Sequence, residues 1–432
     1  MIRFIALLLS MTFAQVGHAS ISDQEFSDLK NELMFLMSRV DALEAENKAL
    51  ENKALENKAL ENKALENRAL KESVVSSAPA VEKLATRDQS SSWAKTVKIS
   101  GDFRYRYEHI DAERSDTRER NRVRARFAVK AKPADNVEVG IGLASGSDDA
   151  VSTNQTLGGG GTTKDINLDL AYFKWQAKPG FNVIGGKMKN IFYRPAGHGL
   201  LWDGDYRPEG LGFTFERDNY FINTAANFLE SDSRNNDDNT AYGLQTGFKG
   251  SVGNGQLIAG VGYFEIDTKT REVFIGDSDD FFGNTFTCLD SDALSGCTYN
   301  NDYEELELFA QFNTTIGETP ITLFIDMVQN QAASDLDTAW ATGIKLGKAS
   351  APKTWELSYT YQDIEADAVL GLVTDSDFAG GGTDAKGHLL KGAWAINKKW
   401  KIGFTFFDNQ RNMDVGVAED YRRLMLDTAY KF

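Results

Sequence analysis

The sequence predicts an all-β fold: a transmembrane antiparallel β-barrel of about 16 strands, preceded by an N-terminal α-helical coiled coil. Two observations predict the barrel: segments of alternating polar and apolar residues, and connections that alternate between short and long. A third observation, an apolar heptad, predicts the coiled coil. The predicted boundaries are 1–19 for a signal peptide, 20–72 for the coiled coil with a tandem repeat, 73–96 for a linker and 97–432 for the barrel.

The first segment has the composition of a secretory signal peptide. Arg3 precedes an apolar run at 5–13, and small residues at 17–19 suit cleavage after Ala19. The run is too short to span a membrane comfortably, and no later segment is a longer apolar stretch that would span one. Membrane contact of the mature chain would therefore come from strands, which show only half of their residues to lipid.

A heptad seam begins at Phe26. Its members are spaced by three and four residues, and they are Phe26, Leu29, Leu33, Leu36, Val40, Leu43, Asn47 and Leu50. A lone amphipathic helix is the alternative, but the flanking sequence offers it no partner surface. We therefore predict a homo-oligomer held by this seam, with a trimer favoured and a dimer still open. Peptidoglycan is a further candidate partner, because the coiled coil would lie in the periplasm.

The motif ENKAL repeats in tandem from residue 46 to 65, and the variant ENRAL extends the repeat to residue 70. Each five-residue unit advances roughly 500° around a helix, so its leucines spiral instead of forming one stripe. We interpret 46–70 as a helical spacer. The SSAPA and DQSSS runs within 73–92 indicate a flexible linker.

The barrel prediction depends on the connections and the faces of the strands. Short turns such as KPADN and NKK alternate with long connections at 145–164, 189–209, 266–303 and 364–386. Short turns on one rim and long loops on the other are typical of an outer-membrane barrel. In the first strand, Phe103 and Tyr105 alternate with Asp102 and Arg104. One face therefore suits lipid and lipopolysaccharide, and the other suits a water-filled lumen.

The last twelve residues, YRRLMLDTAYKF, form an alternating strand that ends on an aromatic residue. An ordinary edge strand of a soluble sheet is the alternative interpretation. Because the pattern is that of a barrel's closing strand, we interpret Tyr430 and Phe432 as an assembly signal for the outer membrane.

Several runs together resemble the putative porin family of Gram-negative bacteria. They are ISGDFRYRYE at 99–108, ERNRVRARF at 119–127, GSDDAVSTNQTL at 146–157, DLAYFKW at 169–175, GGKMKN at 185–190 and WDGD at 202–205. The resemblance covers the chain from residue 97 onward and leaves the coiled coil and the repeat outside it. It implies a channel in the outer membrane and names no substrate.

Arginines of one parity predict a basic wall of the lumen. They are Arg104 and Arg106 on the first strand, and Arg122, Arg124 and Arg126 on the second. Such spacing is more regular than that of solvated loop charge. The alternative is that these side chains pair with local acids such as Glu119 and Asp116, or with lipopolysaccharide.

Carboxylates occupy candidate lumen positions on the tenth to thirteenth strands, nearly opposite the basic wall. They are Glu305, Glu307, Asp326 and Glu356. Charges of opposite sign on opposite walls would produce a transverse field. Such a field favours small polar or zwitterionic solutes over apolar ones.

The long connection at 189–209 is the best candidate for a loop that folds inward and narrows the pore. Its charged and aromatic members are Arg194, Trp202, Asp203, Asp205 and Arg207. A loop that caps the outside of the barrel is the alternative. In another long connection, Cys288 and Cys297 form a close pair. In an exported protein this pair predicts a loop disulfide, and two reduced thiols are the alternative.

The composition narrows the function. The formal net charge of −16 argues against nucleic acid as a partner. After removal of the signal peptide only His109, His198 and His388 remain, and none lies in a nucleophile motif. We therefore predict no enzyme activity, no metal site and no cofactor. The leading hypothesis is a porin for passive diffusion of small polar solutes and ions. The alternative is an anchor that tethers the outer membrane to the cell wall through the coiled coil.

Overall fold

The structure is a computed structural model, and it describes residues 96–231, 238–277, 280–291 and 294–432. The predicted signal peptide, the coiled coil, its repeat and nearly all of the predicted linker lie outside the described residues. Within the described ranges, no helix is long and apolar enough to cross a membrane.

Sixteen long strands form the wall of a barrel, and three shorter strands lie beside it. In chain order the strands are β1 (Lys98–Ala112), β2 (Arg118–Ala134), β3 (Val137–Ser145), β4 (Gln155–Thr156), β5 (Ile166–Lys178), β6 (Phe181–Lys187), β7 (Glu209–Arg217), β8 (Tyr220–Glu230), β9 (Asn239–Val252), β10 (Gly255–Ile266), β11 (Phe286–Asp290), β12 (Ser295–Tyr299), β13 (Tyr303–Ile316), β14 (Thr319–Asn330), β15 (Thr338–Gly347), β16 (Trp355–Ile364), β17 (Ala385–Ala395), β18 (Trp400–Arg411) and β19 (Glu419–Lys431).

The sheet closes on itself, because β1 pairs with both β2 and β19. All wall strands pair with their neighbours in antiparallel fashion, with β3 joined to β5 and β10 joined to β13. The short strand β4 adds two residues against β2, and β11 pairs only with β12. The closed barrel of sixteen antiparallel strands confirms the barrel part of the predicted fold, and the coiled coil stays a prediction.

Alternation along each strand separates an apolar outer face from a polar inner face. On β1, Ile99, Phe103 and Tyr105 are exposed on the outside, whereas Arg106 and Glu108 are buried inside. Successive side chains of a strand point to opposite faces of the sheet, so the sequence pattern alone sets this division. The result is a barrel with an apolar exterior and a charged interior.

Connections of different length lie on the two rims. Turns at 179–180, 218–219, 253–254 and 317–318 join strands on one rim, and long connections lie on the other. The turn before β6 requires glycine at residue 180. Gly180 has a φ of 80°, and an added Cβ would lie 2.2 Å from the carbonyl oxygen of Glu216. Only glycine adopts this conformation without strain.

Two long connections contribute to a hydrophobic core inside the barrel. We call residues 188–208 the first inward loop and residues 365–384 the second inward loop. Their core members include Leu200, Trp202 and Leu370, which pack with Phe264 and Tyr303 of the wall. Short 3-10 helices occur at Pro195–Gly197, Gly371–Val373 and Phe378–Gly380. The interior is therefore partly filled by the chain's own loops.

Candidate functional site

Strands β1 and β2 bring six arginines together on the interior face. This arginine ladder consists of Arg104, Arg106, Arg120, Arg122, Arg124 and Arg126. The register of the two strands sets Arg104 opposite Arg124 and Arg106 opposite Arg122. Like charges directly opposite on paired strands repel one another. The ladder therefore depends on carboxylates close by.

Asp102 of β1 and Asp205 of the first inward loop share two ladder arginines. Arg126 donates to Asp102 and to Asp205 at 2.8 Å in each case. Arg124 donates to Asp102 at 3.0 Å and to Asp205 at 3.4 Å. Burial alone would raise the pKa of Asp205, but Arg124 and Arg126 hold it below its usual range. These ion pairs fasten the first inward loop to the basic wall.

Glu108 neutralises a second part of the ladder. Its side chain is fully buried and accepts hydrogen bonds from Arg120 and, at 2.9 Å, from Arg423 of β19. Arg122 Nη1 lies 3.6 Å from the same carboxylate. Arg106 Nη1 also lies 3.6 Å from it, so one buried carboxylate serves four arginines on β1, β2 and β19.

Asp377 fastens the second inward loop to the same wall. Its carboxylate lies 3.1 Å from Arg106 Nη1 and 2.9 Å from Arg423 Nη2. Burial acts to raise the pKa of Asp377, but Arg423 and Arg106 hold it well below its usual range. Arg106 also forms a two-point pair with Asp427, at 2.7 and 3.0 Å. Both inward loops therefore dock on the ladder through an aspartate.

Arg104 differs from the other ladder arginines. Its Nη2 atom donates to Asn154 Oδ1 at 2.6 Å, but no carboxylate of the described residues lies within ion-pair distance of it. Its Nε atom is buried and has no hydrogen-bond partner among the described residues. Arg104 is thus a ladder cation whose charge is not balanced by a direct contact.

A polar cavity of about 180 Å³ lies beside Arg104. Its walls come from β1, from β17, from both inward loops and from Val151 and Asn154 in the connection between β3 and β4. Three cations line it, namely Arg104, Arg194 and Lys391, together with four carboxylates, namely Asp203, Asp205, Asp375 and Asp377. The cavity therefore lies where the two inward loops approach the basic wall.

The carboxylates Asp203 and Asp375 face each other between the two inward loops. Asp203 accepts backbone N–H groups of Asp205 at 2.5 Å and of Ser376 at 3.1 Å. Burial, and after it the neighbouring Asp375 carboxylate, raises the pKa of Asp203 to about 8. Asp203 is therefore largely protonated and uncharged at neutral pH.

We call Glu305, Glu307, Asp326 and Glu356 the acidic wall. The sequence predicts that these carboxylates line an open lumen, and three of them do not. Glu305, Glu307 and Asp326 do occupy the interior face, but their side chains are only 1%, 1% and 2% exposed. Glu305 accepts the backbone N–H of Leu370 at 3.0 Å, and Glu307 accepts an N–H of Gln245 at 2.8 Å. They lie beneath the inward loops, because those loops pack over β13 and β14.

Glu356 lies apart from the other three carboxylates. It is partly exposed on the interior face of β16, and its carboxylate lies 3.2 Å from Lys345 Nζ on β15. A carboxylate paired with a neighbouring lysine presents little net charge to a passing solute. The opposite-sign walls expected from the sequence are therefore unequal in the structure.

The first inward loop lies against interior residues of the wall. Tyr193 donates to Gln311 of β13 at 2.6 Å, and the His198 ring lies 5.4 Å from that of Phe324 on β14. Burial lowers the pKa of His198 to about 3, so its imidazole is neutral. Trp202 packs edge-on against Phe264 with ring centroids 5.1 Å apart. This part of the connection thus contacts the inside of the barrel.

The two arginines of that loop have different surroundings. Arg207 lies 3.4 Å from Asp169 and 3.7 Å from Asp205, so it is paired with carboxylates. Arg194 instead donates to the backbone carbonyl of Trp202 at 2.9 Å and lines the polar cavity. Only Arg194 of the two presents its charge to that cavity.

Two further cavities adjoin the polar one. An outer cavity of about 520 Å³ lies on the long-loop side and shares Asp205 with it. An inner cavity of about 510 Å³ reaches the short turns at Gly180 and Glu216, and it shares Arg194 and Gly197 with the polar cavity. The polar cavity therefore shares lining residues with a cavity on the long-loop side and with a cavity on the short-turn side.

The remaining residues singled out in the sequence lie away from this region. Cys288 and Cys297 are joined by a disulfide between β11 and β12. Tyr430 stacks on Trp400 with ring centroids 5.2 Å apart, and Phe432 exchanges backbone hydrogen bonds with Gly101. The role of Tyr430 and Phe432 as an assembly signal stays a prediction.

Sequence reasoning missed several residues of the site. They are Glu108, Lys391, Asp377, Arg423 and Asp427, whereas the sequence pattern places Asp102 on the lumen face without a stated role. Parity on β1, β17 and β19 could have placed most of them on the interior face. Nothing in the sequence could have placed Asp377, because it lies in a loop. Within the described ranges, no group of three or more His, Cys, Asp or Glu side chains could hold a metal ion.

Comparison with known proteins gives the family. A family model described as putative porin matches residues 109–270 and 282–427. A high-pH structure of Pseudomonas putida OprB is 11% identical, with a TM-score of 0.54, and the match covers 80% of this chain and 96% of that chain. A loop-deletion variant of OmpT, an outer membrane protein of Vibrio cholerae, is 13% identical, with a TM-score of 0.47 over 78% of this chain and 100% of that chain.

No curated protein matches the sequence. At 11% identity the likeness to OprB shows the fold alone. The family match, in contrast, includes most of the ladder, both inward loops and the acidic wall, and it spans most of the barrel. The chain therefore belongs to the putative porin family and forms an outer-membrane β-barrel of the porin type.

Proposed function

We propose that the chain is a porin through which small polar solutes and ions diffuse passively across the outer membrane. The passage would run between the arginine ladder and the two inward loops. Solutes would enter the outer cavity from the long-loop side, pass the polar cavity and leave through the inner cavity near the short turns. The proposal contains no catalytic step.

The observation that supports this path most directly is that the polar cavity shares lining residues with each of the other two cavities. Asp205 lines both the outer and the polar cavity, and Arg194 lines both the polar and the inner cavity. The polar cavity is the smallest of the three, with about 180 Å³. It would therefore act as the size and charge filter of the pore.

The lining of the filter supports polar rather than apolar solutes. Charged side chains and backbone groups make up nearly all of its wall. A charged, narrow passage focuses the field on solutes and orders water, so an apolar solute would displace that water without offering hydrogen bonds in its place. We infer that ions and hydrogen-bonding solutes pass most readily.

Planar-bilayer recording tests the proposal. Purified full-length chain should produce stepwise current increments in KCl. Replacement of Gly204, which lines the polar cavity and has a permissive backbone, by Trp should lower the single-channel conductance. Thr163→Trp in an exposed outer connection is the matched control and should leave the conductance unchanged. A folded barrel that carries no current would contradict the porin proposal.

The assembly proposal concerns the whole chain. We infer a homo-oligomer, with a trimer favoured, from the heptad seam that begins at Phe26. The apolar outer face of the barrel would contact lipid and lipopolysaccharide. Analytical ultracentrifugation in detergent should detect the oligomer, and removal of residues 20–70 should weaken it. A monomer at micromolar concentration with residues 20–70 present would refute the proposed homo-oligomer.

An anchoring role is the second candidate function. The seam and the ENKAL spacer would project into the periplasm, where peptidoglycan is the available partner. A sedimentation assay with purified peptidoglycan separates the two functions. Binding of the full chain, lost on removal of residues 20–70, together with absent conductance would favour the anchor over the pore.

A further inference from the structure

We propose that the polar cavity is a transient binding site for the carboxylate group of a small organic acid, with Arg104, Lys391 and Arg194 as its cationic residues. The inference rests on the proposed porin function and adds a solute class to it. The site would make the pore more permeable to small organic anions than its net chain charge suggests.

The first argument is that the carboxylates around the cavity are already engaged. Asp205 is paired with Arg124 and Arg126, which lie on the ladder behind it. Asp377 is paired with Arg106 and Arg423. These two negative charges are therefore balanced by arginines other than those that line the cavity.

The other two carboxylates of the cavity are engaged by backbone groups. Asp203 accepts the N–H groups of Asp205 and Ser376, and Asp375 accepts the N–H of Asp377 at 2.9 Å. Neither forms an ion pair with a described residue within 4 Å. Asp203 and Asp375 also lie close to one another, which disfavours the simultaneous charge of both.

The second argument is that the three cations of the cavity have no such partners. Within the described residues, none of Arg104, Arg194 and Lys391 has a carboxylate within ion-pair distance. Arg104 and Arg194 each make one hydrogen bond, to Asn154 and to the Trp202 carbonyl, and Lys391 is exposed on the interior face of β17. Their charge is therefore available to a solute.

The third argument concerns geometry. A guanidinium presents parallel N–H groups that match the two oxygens of a carboxylate. Arg104 uses Nη2 for Asn154, and its Nε is buried without a partner among the described residues. The guanidinium of Arg104 therefore keeps N–H groups that have no hydrogen-bond partner among the described residues. Arg194 and Lys391 line the same cavity from the first inward loop and from β17, so a carboxylate would meet cations from three sides.

Carboxylates that repel one another at the same cavity keep the binding weak. A solute must bind well enough to enter and weakly enough to leave. The Asp203 and Asp375 pair, which carries about one negative charge at neutral pH, would oppose a second negative charge of the solute and would attract an amino group, so a monocarboxylate or an amino acid fits better than a tricarboxylate.

Current block by added solute tests the site. The full-length chain is recorded in a planar bilayer in KCl, and acetate, propionamide or inorganic phosphate is titrated into the bath. Acetate should reduce the KCl current in a saturable manner, whereas the neutral propionamide should not. Arg104→Gln should weaken the acetate block about tenfold, because a charge-assisted hydrogen bond is lost. Arg104→Lys, which keeps the charge, should retain most of the block.

Two further variants keep the test decisive. Lys391→Gln should also weaken the acetate block, and it removes a side chain with no hydrogen bond among the described residues, so folding should be preserved. Arg422→Gln is the matched control, because Arg422 is an exposed arginine paired with Asp408 outside the cavity. It should leave the block unchanged.

The outcomes separate this inference from the porin proposal. A barrel without current overturns the pore itself. A conducting barrel whose acetate block is equal in wild type, Arg104→Gln and Lys391→Gln overturns the carboxylate site while the pore stands. Stronger block by phosphate than by acetate would overturn the assignment to organic acids in favour of inorganic anions.

Discussion

The basic wall on β1 and β2 reaches the polar cavity through Arg104, whereas the part of the acidic wall on β13 and β14 lies beneath the two inward loops. Both walls obey the same alternation, and both are on the inside of the barrel. The basic wall keeps Arg104 at the cavity and pairs its other arginines with wall carboxylates such as Glu108 and with loop aspartates. The acidic wall has Glu305, Glu307 and Asp326 almost fully covered.

This difference separates two kinds of structural information. The parity of a residue on a strand decides which face it occupies. What covers that face is decided by loops that cross the interior, here through contacts such as Asp205 with Arg126 and Tyr193 with Gln311. Charge in the sequence of a barrel wall therefore contributes to a pore only where no loop covers it.

The largest expected effect follows from removal of the basic wall. Replacement of Arg122, Arg124 and Arg126 by Gln should shift the reversal potential in a KCl gradient towards cations, with the chloride-to-potassium permeability ratio falling about tenfold. The reason is that Asp205, which lines the polar cavity, loses the two β2 arginines that balance its charge. The matched comparison is Glu307→Gln on the acidic wall, which should leave the ratio unchanged because that side chain does not reach the cavity. Equal shifts of opposite sign would mean that both walls line the pore.

A second prediction concerns the contact that holds the first inward loop on the basic wall. Asp205→Asn removes the charge shared by Arg124 and Arg126, so the free energy of unfolding should fall by about 1–3 kcal/mol. Thermal unfolding in detergent and the noise of the open-channel current measure the two consequences. Asp335→Asn, in an exposed connection, is the control. Unchanged noise and stability would show that aromatic packing alone holds the loop.

A third prediction uses the pKa of Asp203. Burial and Asp375 raise the pKa of Asp203 to about 8, so the side chain is neutral at pH 7 and gains a negative charge as the pH rises through 8. The groups that face it are Asp375, Asp205 and Arg194. One added charge at about 10 Å changes an ion's energy by roughly 0.4–1.7 kcal/mol, so anion permeability should fall a few-fold between pH 7 and pH 9.

The control for the pH dependence is Asp203→Asn. It keeps the size of the side chain and cannot ionise, so its selectivity should be constant over the same range. A variant with the same pH dependence as the wild type would assign the effect to another group.

The smallest expected effect lies outside both walls. Cys288 and Cys297 close a short loop between β11 and β12, so their disulfide should contribute at most about 3 kcal/mol, and only locally. Replacement of both by Ser should leave single-channel conductance and selectivity unchanged. Altered ion selectivity in this variant would show that the hairpin positions the inward loops.

The alternation of side chains was sufficient to predict the barrel, its sixteen strands and the inward orientation of the ladder. Each strand's period of two is a local property, and it needs no knowledge of distant residues. The signature runs around Arg104 and Asp203 were also enough to indicate the family. In the same way, the proximity of Cys288 and Cys297 in the sequence made their pairing a simple expectation.

Only the tertiary structure decided which charges remain at the cavity. Asp377 and Arg106 are far apart in the sequence, as are Asp205 and Arg126, and no periodicity relates a loop residue to a strand residue. Loop paths depend on packing against the completed wall, which forms only after all strands have paired. Arg104 lines the polar cavity, whereas Glu305 is buried beneath the second inward loop. This difference arises from long-range contacts that a local pattern does not contain.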